Sequence, residues 1–331
     1  MSRGAWFILA RRPLRRAWAL AALALSACGL TARCAPQGLD DASMRALYAQ
    51  PASAPDRPLR VFHLGHSLVG RDMPEMLRQL ADAAMGPGHD HASQLGWGTS
   101  LREHWEPDLP INGFETENAH PRFRPAAEAL AGGGYDAVVL TEMVEIRDAI
   151  RWHDSWDYLR RWAALAWQGN PDARVCLYET WPARDRDEAA WLARLDADPD
   201  EFWRGRILRP ALAALRDQGI ERPICVIPAG SALAILDRLL RDEGPADGLR
   251  RAGDLFSDDI HLNDQGNYMM ALIHFAVLYG RDPRGLPRAL RKADGAPAHA
   301  PGPAAAALMQ RAAWLAVLGD PLTGLRPEAA R

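Results

Sequence analysis

The chain has 331 residues and an ordinary globular composition, 48% hydrophobic and 24% charged, with a formal net charge of −3. That balance excludes bulk disorder, collagen and coiled coil, and the slight negative charge argues against a nucleic-acid partner. The single long apolar stretch lies at the extreme N-terminus, which excludes a polytopic membrane protein.

Arg3, Arg11, Arg12, Arg15 and Arg16 precede an almost wholly apolar run from Ala17 to Ala27. This is the basic region and short hydrophobic region of a secretory signal. At about 11 residues the run is too short to span a membrane, which takes about 20. It ends in Leu25-Ser26-Ala27-Cys28, a tetrapeptide that resembles the bacterial lipobox. The expectation is a lipoprotein-type signal over residues 1–28 and a mature chain held in the membrane by lipid on Cys28. The predicted address is the bacterial cell envelope, periplasmic side, with Gly29 in place of Asp favouring the outer membrane. Residues 29–57, rich in Ala, Pro, Asp and Ser, read as a tether with one short helix over 41–48.

From Leu59 the pattern becomes that of a folded domain, expected over residues 58–290. Strand-like runs at 59–64, 137–140, 174–178 and 223–227 alternate with helical spacing at 73–85, 156–167, 202–218, 231–240 and 265–279. Asn263 caps the last of these helices. Such alternation predicts a three-layer α/β/α sandwich around a mostly parallel sheet. Residues 291–331 read as a linker and a C-terminal helix over 304–318. Cys176 and Cys225 fall in strand-like runs and are expected to be buried small hydrophobes. An oxidising compartment permits a disulfide between them.

In a sheet of this kind, ligands bind beyond the carboxyl ends of the strands. The residues found there are Gly65-His66-Ser67-Leu68 after the first strand, Thr141-Glu142-Met143 after the second and Glu179-Thr180-Trp181 after the third. Late in the chain comes Asp258-Asp259-Ile260-His261. A hydroxyl, an imidazole and a carboxylate are the parts of a hydrolytic site: the imidazole takes the hydroxyl's proton, and the carboxylate orients the imidazole.

These residues carry a resemblance to the SGNH/GDSL hydrolases. Gly65-His66-Ser67-Leu68 looks like the family's first block, with His in its second place, and Asp258-x-x-His261 followed by Gly266 looks like its last. The resemblance implies a flavodoxin-like fold, a Ser67–His261–Asp258 triad, and oxyanion donors at Ser67 and at Gly98, with Gly96 second. The family's third block supplies an amide donor where this chain has Leu140-Thr141-Glu142-Met143. A carboxylate aimed at an oxyanion repels it, so Glu142 is expected either to stay protonated through burial or to pair with Arg71, Arg102 or Arg147. The pairing is the favoured expectation. Thr141, Glu142 and Trp181 are the further residues expected near the cleft.

Weaker features have plainer readings. His89-Asp90-His91 reads as a solvated loop, since two ligands do not make a metal site. Trp97, Trp105, Trp152 and Trp181 read as packing residues, with stacking on sugar rings as the alternative. The function expected is an exported serine esterase, with O-acyl groups on a saccharide as a fitting substrate and no cofactor. The alternatives are a glycan- or partner-binding protein on the same fold, or a sugar O-acyltransferase.

Overall fold

A computed structural model describes residues 35–325. Cys28 and the rest of the leader lie outside the described residues. Five strands form one sheet in the order β2-β1-β3-β4-β5: β1 (Arg60–His66), β2 (Asp90–Gly96), β3 (Ala137–Leu140), β4 (Arg174–Glu179) and β5 (Cys225–Pro228). Every pairing is parallel. The sheet is buried on both faces, which explains why its strands read as short continuous apolar runs. Val61, Val139, Cys176 and Ile227 enter one core with the helices Asp72–Met85, Ala229–Glu243, Asp264–Tyr279 and Pro303–Gly319. Phe62, Val138, Leu177 and Val226 enter the other core, under Ser155–Gly169 and Arg209–Asp217. The three-layer architecture is the one the sequence predicts.

Four features depart from the expectation. β2 begins within the His89-Asp90-His91 segment expected to be a solvated loop; both histidines are buried. This edge strand is shielded by the 122–124 stretch, where Arg122 O accepts from Ser93 N and Ser93 O from Arg124 N. The helix expected to begin at 202 starts at Glu188 and runs through wider π turns over Pro199–Leu208 to Asp217. The segment read as a tether packs on the domain from Leu39 onward: Met44 is buried, and the Tyr48 hydroxyl donates to Ile224 O at 2.5 Å. The cysteines are joined rather than separate. Cys176 and Cys225 are register partners on β4 and β5, so their side chains leave the sheet on one face, and a disulfide links them with the Cα atoms 4.3 Å apart.

Candidate active site

The strand order reverses between β1 and β3, and there an α/β sheet opens a crevice at its carboxyl end. Ser67 is the first residue beyond β1. The strand ends close against β3's exit: a Cβ on Gly65 would lie 2.4 Å from Thr141 Cγ2 and 3.0 Å from Val69 Cγ2. Glycine there lets the turn bearing Ser67 sit tight on the sheet.

Ser67 and the late Asp-x-x-His segment, 194 residues apart, meet at this point. The Ser67 hydroxyl lies 2.9 Å from His261 Nε2, and His261 Nδ1 lies 2.8 Å from Asp258 Oδ2. Asp258 Oδ1 accepts from the backbone N–H groups of His261 (2.6 Å) and Ile260 (2.8 Å). Those N–H groups, joined by the His261 ring, hold the Asp258 carboxyl down to about 2. A carboxylate only accepts, so Nδ1 carries the hydrogen and Nε2 faces Ser67 as an acceptor. The Asp259 carbonyl accepts from Arg184 N at 2.7 Å, and this residue serves the turn.

The three further residues expected at the cleft are buried instead. Trp181 is wholly buried, and its indole N–H donates to Ile260 O at 2.9 Å. It pins the loop that carries His261 and offers no ring to a ligand. Thr141 is also wholly buried, its hydroxyl donating to Tyr178 O at 2.8 Å. Glu142 pairs with none of Arg71, Arg102 and Arg147. Its Oε1 accepts from Met143 N (2.8 Å) and Leu101 N (3.3 Å). Burial pushes its carboxyl up to about 7, against the pull of those N–H groups. Glu142 thus ties the loop after β3 to the one after β2, three residues beyond Gly98. The arginine pairing is absent, and the raised carboxyl follows the other expectation, protonation favoured by burial.

His66 completes this tie. Its Nε2 donates to Glu142 O at 2.9 Å, leaving Nδ1 to face Leu68 N at 3.4 Å. Burial holds the ring down to about 4, so it is neutral. Gly96 ends β2 as the register partner of His66, which places Gly98 in the loop beside Ser67. Gly98 has a φ of +55°, and among the described residues no acceptor takes its N–H or that of Ser67.

A cavity of about 500 Å³ opens beside Ser67 and His261, with Arg71, His91, Glu117, His120, Arg122 and Asn267 in its walls. Sequence reasoning did not identify these residues as site residues. They come from four separate stretches, and only the fold brings them together. Asn267, one turn past the cap at Asn263, was the one within reach of helical spacing.

No family model matches the chain, and no curated protein matches it. Among solved structures, the chain is similar to an acetyl xylan esterase, at 15% identity over 66% of this chain and 99% of that one, with a TM-score of 0.40. It is similar to a carbohydrate esterase family 3 protein from Talaromyces cellulolyticus, at 15% identity over 66% and 96% of the two chains, TM-score 0.31. A gut microbial diltiazem-metabolizing enzyme is matched at 12% identity over 70% of this chain and 49% of that one, TM-score 0.36. At these scores the likenesses add nothing to the geometry.

Proposed function

We propose that the chain is a serine esterase that removes a short acyl group from a polyhydroxylated alcohol such as a saccharide. The observation that carries this reading is the Ser67–His261–Asp258 chain of 2.9 and 2.8 Å contacts at the switch point of the sheet. Ser67 Oγ attacks the ester carbonyl as its proton passes to His261 Nε2. The resulting imidazolium is held by Asp258. The tetrahedral oxyanion accepts from the N–H groups of Ser67 and Gly98. Collapse expels the alcohol, which takes the proton from His261. Water then attacks the acyl-enzyme by the same route.

Two features favour water as the acyl acceptor and a small acyl group. The side chains of His261 and Asp258 are 45% and 55% exposed, so water reaches the base freely; an acyltransferase excludes it. Charged and polar side chains line much of the cavity, interrupted by Leu68, Pro74, Pro121 and Leu262, so a long fatty chain would have to lie against charged groups. Across p-nitrophenyl esters from acetyl to octanoyl, kcat/KM should be highest for acetyl and fall about tenfold or more by octanoyl, since a longer chain must displace water from the charged groups of the wall without replacing its hydrogen bonds. A preference for octanoyl would contradict the short-acyl reading.

Export and lipid anchoring at Cys28 belong to the same proposal. They are supported by the Leu25–Cys28 tetrapeptide and by a disulfide that suits an oxidising compartment. Among the described residues no helix is long and apolar enough to cross a membrane. Cys28→Ser is expected to move the protein from the membrane fraction to the soluble one. A wild type found wholly soluble would overturn the anchor.

A further inference from the structure

Among the described residues only three large hydrophobic side chains stand exposed, and one of them, Trp97, adjoins the candidate site. It is the residue after β2, as Ser67 is the residue after β1, and these strands are paired in register up to Gly96 and His66. Paired strands lie about 4.8 Å apart, so the two residues leave the sheet side by side.

Trp97 is 51% exposed, yet it is held at three points. Its backbone N–H donates to Asn112 O at 2.7 Å. Its indole N–H donates to Glu117 Oε1 at 2.7 Å. Gly113, at a φ of +68°, lies against the ring: a Cβ there would come within 2.2 Å of Trp97 Cδ2 and 2.4 Å of Cε2. A large indole fixed in this way loses little freedom when a ligand covers it. It borders a shallow groove formed with Pro107, Pro110, Ile111, Phe114 and Thr116. Glu117, which accepts from the indole, also lines the cavity beside Ser67, so one side chain links the Trp97 ring to the cavity wall.

We infer that Trp97 is the stacking platform of a second subsite, which takes a neighbouring pyranose ring of an oligosaccharide whose acylated unit sits in the Ser67 cavity. This rests on the esterase reading for the position of the scissile bond. A pyranose has an apolar C–H face and a hydroxyl-bearing rim. The indole and the groove receive the face, and Glu117 and Thr116 stand where they can bond the rim. A fatty chain would leave the polar cavity unpaired, whereas a sugar chain matches both the polar cavity and the apolar groove. The substrate is then a glycan chain of at least two units rather than an acylated monosaccharide.

The other prominent tryptophans serve as contrasts. Trp105 packs edge-on to Trp162 with ring centroids 4.8 Å apart, and Trp181 is buried. Trp152 is 59% exposed and lines neither the Ser67 cavity nor the groove beside Trp97.

The test measures kcat/KM on O-acetylated gluco-oligosaccharides of one to four units. The wild type should gain with length from one unit to two or three. In Trp97→Ala the ratio of the longest to the shortest substrate should fall about tenfold, and Trp97→Phe, which keeps a ring, should recover part of it. Trp152→Ala should preserve the length dependence. A wild type indifferent to length, or a length dependence that survives Trp97→Ala, would overturn the subsite. If no ester is cleaved at all, the esterase reading fails instead. Calorimetric titration of Ser67→Ala and Ser67→Ala/Trp97→Ala with unacetylated tetrasaccharide then decides the platform on its own. Weaker binding by the double variant supports it, and equal or absent binding removes it.

Discussion

Replacing Ser67 or His261 with alanine is expected to lower ester hydrolysis by roughly 10⁴-fold or more, and replacing both should cost little beyond either one. The non-additivity follows from the geometry. Ser67 is a nucleophile only while His261 Nε2, 2.9 Å away, takes its proton, so losing either group removes the same step. Asp258→Ala should cost somewhat less, because Ser67 and His261 remain and the loss is one of tautomer and orientation. Part of that orientation survives, since Trp181 and Arg184 still hold the loop through the carbonyls of Ile260 and Asp259. Asp259→Ala should cost far less than Asp258→Ala, because Asp259 acts on the loop through its backbone. Steady-state kinetics of the four single variants and the Ser67→Ala/His261→Ala pair on p-nitrophenyl acetate check this. Equal tolerance of Ser67→Ala and Asp259→Ala would sink the assignment.

The second large effect is expected in stability against pH. Six histidines, His63, His66, His89, His91, His104 and His274, are buried. Burial lowers each ring below its ordinary value, and for His63 the neighbouring His274, His91 and His89 add to it. The unfolded chain takes up protons on these rings near pH 6.5, while the folded chain does not. Folding is therefore favoured above that pH, and stability is lost as pH falls below it. Six such groups give a slope of up to roughly 8 kcal/mol per pH unit, enough to exhaust an ordinary folding free energy within about two units. Cooperative acid unfolding between about pH 4 and 5.5 is the expected outcome.

Glu142 acts in the opposite sense. Its carboxyl is raised from 4.5 to about 7, so its stabilising contribution is complete at low pH and lost as pH rises through 7. Glu142→Gln keeps an oxygen for the N–H groups of Leu101 and Met143 but carries no charge. Its melting temperature should gain on the wild type between pH 5 and 8, by the equivalent of about 3 kcal/mol at the upper end. Melting curves of both proteins from pH 4 to 8 measure the two limbs together. A wild type equally stable at pH 7 and 4.5, or a constant gap between the two proteins, would contradict the respective part.

The Asp258–His261 contact was legible in the sequence because its geometry is local. Asp258 and His261 stand three residues apart, so the backbone N–H of His261 falls on the carboxylate that orients its ring. The sheet was legible where strands are buried on both faces, as in Val138 and Val139. β2 was hidden by His91, Ser93 and Gln94, polar residues that the fold buries. Gln94 bonds His104 and Ala126 N. The fate of Glu142 was unreadable for the same reason: loop position suggested an arginine, and only the folded chain brings Leu101 N to it. The pairing of Cys176 with Cys225 likewise depends on a strand register that neither segment encodes alone.

The central claim is that Ser67 is a nucleophile activated by His261. Reaction with a fluorophosphonate, which phosphonylates an activated serine, followed by mass spectrometry of the digested protein, tests it most directly. The account predicts one adduct on Ser67 of the wild type, none on Ser67→Ala, and a strongly slowed reaction in His261→Ala. A wild type unlabelled at Ser67, or a Ser67→Ala protein labelled as fast as the wild type, would contradict it.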